Sequence, residues 1–344
     1  MYEDIIDKIL KSFDDGILDA KYPKFSGQGY RAYKIDAKNF HQINRFSSDK
    51  RIAFIDGGNA ELLGGANFSL SIIRVCYLVY QNNRKIAAKK FEFLALIQAH
   101  NENNEIWYKV SFFKTRNSID LEETSFSSFD PTLMFGINRA EINSVTNAIR
   151  RFAELKLAKI IADNKISDVI VLDGNLQSTL TNENKYLDEL YESCGKNSVV
   201  LAALSKTNSL FADNGSLLSV VLERISKLQS WFYYPIANIE NSSHRAEIFF
   251  VKLHEKSNHV FRFEIFNVQK PEAEEIINAL ASNCMDPIFI GYPYGLIEAD
   301  RLARVSNQEK EALKTMFLVR LRSRDAEKCL SSANAHEILD KISF

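Results

Sequence analysis

The chain has 344 residues and a mass of 39.3 kDa, with 43 Lys and Arg against 44 Asp and Glu and a formal net charge of −1. At 46% hydrophobic and 25% charged residues it is neither disordered nor fibrous. The near-neutral balance withholds the general argument for a nucleic-acid partner that a strongly basic chain supplies, though a local basic groove stays open. This length suits one elaborated domain or two modest ones.

No apolar run approaches the roughly 18 residues that cross a bilayer. The opening stretch carries Glu3, Asp4, Asp7, Asp14 and Asp15, where a signal peptide would be basic and then apolar. Cys76, Cys194, Cys284 and Cys329 are scattered without CxxC or Cys/His spacing, which reads as core filling rather than zinc or disulfides. The expectation is a soluble, reduced, cytoplasmic protein with no membrane partner.

Residues 1–15 place Ile5, Ile6, Ile9, Leu10 and Phe13 at helical spacing, an amphipathic opening helix. Residues 16–50 are irregular and wrap the surface. A continuous apolar run, Ile52 to Ile55, then marks a strand buried on both faces, and it ends at Asp56-Gly57-Gly58. Two β-rich runs follow, 68–80 and 85–97, joined by a tight polar turn at Gln81-Asn82-Asn83-Arg84. A further alternating stretch, 106–114, extends the sheet, and 115–135 reads as a loop or lid.

Helical periodicity dominates from Ile137 to Asp163, with Ile142, Val145, Ile149, Phe152, Leu155 and Ile160 on one face. A second buried strand, Val169 to Leu172, again finishes in Asp-Gly at Asp173-Gly174. A charged helix at 182–194 leads to a third apolar strand, Val199 to Leu204, ending at Ser205-Lys206. The remainder predicts a short helix near 217–228, strands near 230–235, 246–253 and 259–266, and helices near 270–284, 306–322 and 333–342. This order predicts an α/β fold, a mixed sheet with an antiparallel edge flanked by helices. It resembles a ribonuclease H-like sheet, in which the first and fourth strands lie side by side.

Those are the two strands that finish in Asp-Gly. Adjacent strands lie about 4.8 Å apart, so carboxylates at matching ends can share a cation. Two like charges at that distance are costly without one. The bland alternative is that Asp-Gly is a common turn dipeptide.

Five segments carry a more specific likeness: RIAFIDGG at 51–58, VIVLDGNL at 169–176, VVLAALSKT at 199–207, VFRFEIF at 260–266 and GYPYGLIEADRLARVS at 291–306. In this order they resemble the NurA family, nucleases of ribonuclease H-like fold, over about residues 50 to 315. The resemblance implies 5′-to-3′ exonuclease and single-strand endonuclease activity on DNA. It also implies a homodimer working with a hexameric HerA-type ATPase/translocase in DNA end resection and recombinational repair. Asp56 matches the aspartate of the family's Asp-Gly-Ser motif, although Gly58 stands in the serine position. Asp173 matches the second aspartate. The family's helical glutamate is assigned to Glu141, with Glu154 as the competing position in a Lys- and Arg-rich neighbourhood. Where the family usually shows Ala-His, this chain reads Ala299-Asp300, and Asp300 is expected as the fourth ligand. Four carboxylates suit Mn²⁺ or Mg²⁺, and two such ions stabilise the attacking and leaving oxygens of phosphodiester hydrolysis.

Lys206 leaves the third strand at the same sheet end as the aspartates, which suits a phosphate contact or a transition-state role. Tyr292 suits either a base-stacking ring or core, and Arg301 belongs to a basic C-terminal stretch with Arg304, Arg320, Arg322 and Arg324 that suits either a DNA phosphate-tracking surface or a solvated helix face. The six histidines show no ligand spacing. The boundaries expected are an N-terminal wrapping unit at 1–50, the nuclease domain at 51–325 and a C-terminal helix at 326–344. Two rivals remain at this level: an actin- or sugar-kinase-like phosphate loop in IAFIDGGNAELLGG, and a scaffold whose Gly58 and Asp300 mark lost catalysis.

Overall fold

Residues 52–55 and 169–172 are apolar at every position, and both become strands buried on two faces at the centre of one sheet. The computed structural model describes residues 2–6, 8, 19–46, 48–65 and 67–321. Of the opening helix expected over 1–15, residues 2–6 and 8 are described and helical. The rest lies outside the described residues, as do the helix expected over 333–342, the unit 326–344, Cys329, Arg322 and Arg324.

In chain order the strands begin with three short ones, β1 (Pro23–Lys24), β2 (Tyr30–Ala32) and β3 (Phe40–Gln42). Four long ones follow: β4 (Ile52–Gly65), β5 (Phe68–Gln81), β6 (Arg84–Glu102) and β7 (Glu105–Lys114). The short β8 (Thr124–Ser127) lies within the stretch expected to be loop. Helix α1 (Ile142–Asp163) leads to β9 (Val169–Asp173), α2 (Glu183–Asn197), β10 (Val200–Ser205) and β11 (Phe211–Ala212). Then come α3 (Leu218–Ile225), β12 (Trp231–Tyr233), β13 (Ala237–Ile239), β14 (Ala246–Lys252) and β15 (Phe261–Phe266). The described chain closes with α4 (Ala273–Ser282), α5 (Tyr294–Ala303) and α6 (Asn307–Leu321).

Eleven of these strands form one mixed sheet in the order β3-β12-β14-β15-β10-β9-β4-β5-β6-β7-β8. Its centre is parallel, with β9 between β4 and β10, and the remaining pairs are antiparallel. The α/β class and the ribonuclease H-like arrangement expected from the sequence are what the chain adopts. At the β5–β6 turn Asn82 and Asn83 both take positive φ, the pairing that a two-residue hairpin of matching twist requires.

Several expected element boundaries fail: short strands β1, β2 and β3 lie within residues 16–50, expected to be irregular. The strand does not stop at Asp56: β4 runs through Gly57 and Gly58 to Gly65, paired with β5 all the way apart from one irregularity near Leu62. The antiparallel partner satisfies the glycine backbones, so no turn is needed. This also removes the phosphate-loop reading, since both Gly-Gly pairs lie inside a strand rather than in a loop. The long helix likewise begins at Ile142 rather than Ile137.

Alternation along the central strands sorts their side chains into two cores. Ala53, Ile55, Ile170 and Leu172 pack under α1 and α2 with Ile149, Phe152 and Leu187. Ile52, Phe54, Val169 and Val171 pack under α4 and α5 with Ile276, Leu280 and Leu296. Among the described residues no helix is long and apolar enough to cross a membrane.

Candidate active site

Ile55 pairs with Leu172 in the parallel β4–β9 register, so the next residues, Asp56 and Asp173, stand side by side. By strand alternation both face the α5 side of the sheet. Asp56 is buried, and its Oδ1 accepts the Gly57 N–H at 2.7 Å. Burial first, and then the charges of Asp173 and Glu154, push its carboxyl up to about 7.

Glu154 comes from the opposite layer. It is buried on α1, where it pairs with Arg150, and Arg151 Nη1 lies 3.7 Å from its Oε2. Burial raises its carboxyl above the ordinary value; Arg150 and Arg151 oppose that rise, and Asp173 adds to it. Arg150 also donates to the Gly57 carbonyl at 3.3 Å, which fastens the helix to the strand beside Asp56.

Glu141 does not reach the site. It is the exposed residue before the first turn of α1, 13 positions from Glu154, or about 20 Å along the axis at the usual rise. The arginines near Glu154, which suggested a solvated face, instead fold inward to pair with it. The signal for Glu154 was present: Leu157, Ala158 and Ile161, at three, four and seven residues beyond it, continue its row of the helix as apolar positions.

Lys206 Nζ lies 2.5 Å from Asp173 Oδ2 and 3.4 Å from Asp300 Oδ1. Burial alone would pull this ammonium down, but Asp173, Asp56 and Asp300 together hold it above its ordinary value. Asp300 rides on α5, an element the sequence pattern did not predict, and also pairs with Arg304 one turn later at 2.8 Å. Arg301 is exposed on the same helix.

Tyr292 is fully buried, stacked on Phe289 with centroids 5.1 Å apart, so its ring offers no face to a base. What it presents to the site is its hydroxyl, which donates to Asp173 Oδ1 at 3.3 Å, while burial and the nearby carboxylates raise its pKa far above the usual phenol value. Gly58, the departure from the serine motif, meets the end of α5: a Cβ there would stand 2.3 Å from the Ala303 carbonyl oxygen. A serine is excluded unless that helix moves.

Among the described residues no three acidic, histidine or cysteine side chains are already drawn into a metal cage. Lys206 pairs with Asp173, and Arg150 pairs with Glu154. The donor set still suits a hard divalent cation, because every donor is a carboxylate oxygen. Asp56 is buried without a salt bridge among the described residues, and an added positive charge would relieve the repulsion that raises its pKa.

A family model described as the NurA domain matches residues 50–305. The chain belongs to the NurA family of nucleases. Among solved structures it is similar to the NurA nuclease from Sulfolobus solfataricus, at 15% identity and a TM-score of 0.52, covering 93% of this chain and 94% of that one. The likeness at that identity is one of fold. Endonuclease V from Ciona intestinalis matches at 12% identity and a TM-score of 0.36, over 92% of this chain and all of that one. The catalytic domain of human endonuclease V matches at 10% identity and 0.32, over 80% and 92%. No curated protein matches the sequence.

This NurA chain buries a further charged cluster, on residues to which the sequence reading gave no role. Glu264, on β15, is fully buried; His244 Nε2 lies 3.0 Å and Arg262 Nη2 2.6 Å from its carboxylate, which accepts the Leu176 N–H at 2.7 Å. Although burial opposes it, Arg262 and His244 hold the Glu264 carboxyl down to about 2. Tyr30 closes the chain of contacts, 2.8 Å from His244 Nδ1. The cluster therefore ties the N-terminal segment and the loop after Asp173 to one strand.

Proposed function

We propose that this chain is a metal-dependent DNA nuclease that hydrolyses phosphodiesters at Asp56, Asp173 and Glu154. The observation that carries this reading is the arrival of a third carboxylate, the buried Glu154, beside the aligned aspartates of β4 and β9. Mn²⁺ or Mg²⁺, when bound there, supplies Lewis acidity at the scissile phosphate and lowers the pKa of a bound water. Asp56 and Asp173 would hold the ion, with Glu154 as the third donor and Asp300 at the outer edge.

The protein's own groups do the positioning. Lys206 orients Asp173 and Asp300 and offers the ammonium nearest to an incoming phosphate. Arg150 fixes the Glu154 side chain, and Tyr292 holds Asp173 from below. Arg301, exposed next to Asp300, extends a positive edge along which a DNA strand can lie. Following the family, the activity is 5′-to-3′ exonuclease and single-strand endonuclease action, carried out as a homodimer with a HerA-type translocase during end resection. The domain boundaries at 50 and 325 belong to the same reading.

The test is cleavage of end-labelled single-stranded DNA with Mn²⁺, Mg²⁺ or EDTA, comparing wild type with Asp56→Ala. Cleavage that needs the metal and disappears in the variant is expected. A folded wild type that cuts nothing, even with a translocase added, would leave a non-catalytic scaffold as the reading.

A further inference from the structure

A cleft of about 430 Å³ opens on the α1 side of the carboxylates, between that helix and the loop that follows Asp173. Glu154 and Asp173 line it, whereas Lys206, Asp300 and Tyr292 do not. The cleft therefore begins at the acid cluster and leads away from the cationic side.

Its charges are already paired. Arg150 is held by Glu154 and the Gly57 carbonyl. Arg151 donates to Glu183 Oε1 at 2.8 Å and to the Asn175 carbonyl at 2.6 Å. A phosphate would meet no uncommitted cation here and would face Glu154, Asp173 and Glu183. A neutral, polar occupant meets a better match. Ser144 and Asn147 project from α1 and Thr179 from the facing loop, and none of these side chains has a hydrogen-bond partner among the described residues. Leu133 and Leu180 supply aliphatic walls. Hydroxyl and amide groups between aliphatic walls suit a sugar and the edge and face of a base. The volume lies within the roughly 300–1,000 Å³ of small-ligand sites, enough for one nucleoside and not for a run of them.

We propose that this cleft seats the nucleoside adjoining the scissile bond, with its phosphate left outside at the carboxylates and Lys206. The assignment rests on the nuclease reading above and adds where one side of the substrate goes. Asn147 is exposed at the cleft wall, so its replacement changes the cleft without opening the core. Asn147→Trp fills the space, while Asn147→Ala and Thr179→Ala each remove hydrogen-bonding groups from one wall.

The experiment titrates thymidine 5′-monophosphate into the full chain with Mn²⁺ by calorimetry, titrates Mn²⁺ alone, and measures single-stranded DNA cleavage. Asn147→Trp is expected to weaken nucleotide binding and raise KM for DNA by about tenfold or more, equivalent to the loss of ~1.4 kcal/mol of contact. Mn²⁺ affinity should stay at the wild-type value. If Asn147→Trp melts well below wild type, the two alanine variants decide, each expected to lose binding by about fivefold for a lost hydrogen bond. Wild-type nucleotide affinity and KM in the folded variants would overturn the cleft assignment while leaving the nuclease standing. A wild type that binds no Mn²⁺ and cuts no DNA would remove the nuclease reading and the cleft assignment with it.

Discussion

Glu154 reaches the aspartates over Gly57, where a Cβ would stand 2.5 Å from the Glu154 Oε1. Gly57 faces α1 while Asp56 faces α5, so the two neighbours on β4 serve opposite layers. Glycine leaves the gap through which a carboxylate from one layer joins two from the other. Asp56 and Glu154 are buried and Asp173 is half-buried beside them, and the cost falls on Asp56, whose carboxyl rises to about 7.

The competing glutamates separate cleanly by substitution. Glu154→Gln keeps the size of the side chain and removes the charge; DNA cleavage should fall by on the order of a hundredfold, as when a transition-state electrostatic contact is lost. Glu141→Gln, at an exposed helix start, should stay within about twofold, since surface changes rarely move stability or activity far. Steady-state cleavage of labelled single-stranded DNA compares them. Equal losses in the two variants, or the reverse order, would contradict the geometry.

Asp56 is a liability to the metal-free fold. Its folded pKa lies above its unfolded value, so its contribution to stability is full below about pH 4 and is lost as pH rises through about 7. Asp56→Asn should therefore melt higher than wild type in EDTA at pH 8, and the gain should shrink toward pH 5. Added Mn²⁺ should raise the Tm of wild type and leave the variant unmoved. Thermal melts across pH, with and without Mn²⁺, read both effects; a variant that melts lower at pH 8 in EDTA would contradict the account.

Much of this arrangement was written in the chain. Ile52 to Ile55 and Val169 to Leu172 are buried on both faces, and that alone put Asp56 and Asp173 at the sheet centre. The end of β10 likewise put Lys206 beside them. The later course of β4 was hidden because Gly57-Gly58 signals a turn locally, and only a paired β5 turns it into strand. Helix α5 was hidden by Gly291, Pro293 and Gly295 at its start, residues that weaken any local helix signal until packing on the sheet supplies the stability. Glu154 was legible through its apolar row, but the flanking arginines masked it, because a charged cluster reads as solvent-facing until its partners are known.

Glu264 makes a prediction of the opposite sign from Asp56. Its folded pKa, about 2, lies below the unfolded value, so it contributes stability above about pH 4.5 that is lost as pH falls toward 2. Glu264→Gln leaves Arg262 without its partner and should cost on the order of 3–5 kcal/mol at pH 7, as when a buried ion pair is broken. The deficit should narrow on acidification. Because Glu264 also holds the Leu176 N–H, hydrogen exchange in the loop 174–177 should speed up. Chemical denaturation at pH 7 and pH 4 measures the first effect and amide exchange the second; an unchanged pH dependence would show that the charge is not what the fold uses.

In the proposed reaction Lys206 both competes with the cation for Asp173 and serves the chemistry. At 2.5 Å from Asp173 Oδ2 it holds an oxygen that a metal would also claim, and in the proposed reaction the same ammonium meets the substrate phosphate. Lys206→Met removes the charge while keeping most of the stem. Mn²⁺ binding by calorimetry should tighten, since the resident counter-charge is gone and two aspartates are left to repel each other. Cleavage should nevertheless fall, by about a hundredfold, through loss of the contact to the developing phosphate charge. Tighter metal with slower cutting separates a catalytic lysine from a merely structural one, for which both quantities would fall together.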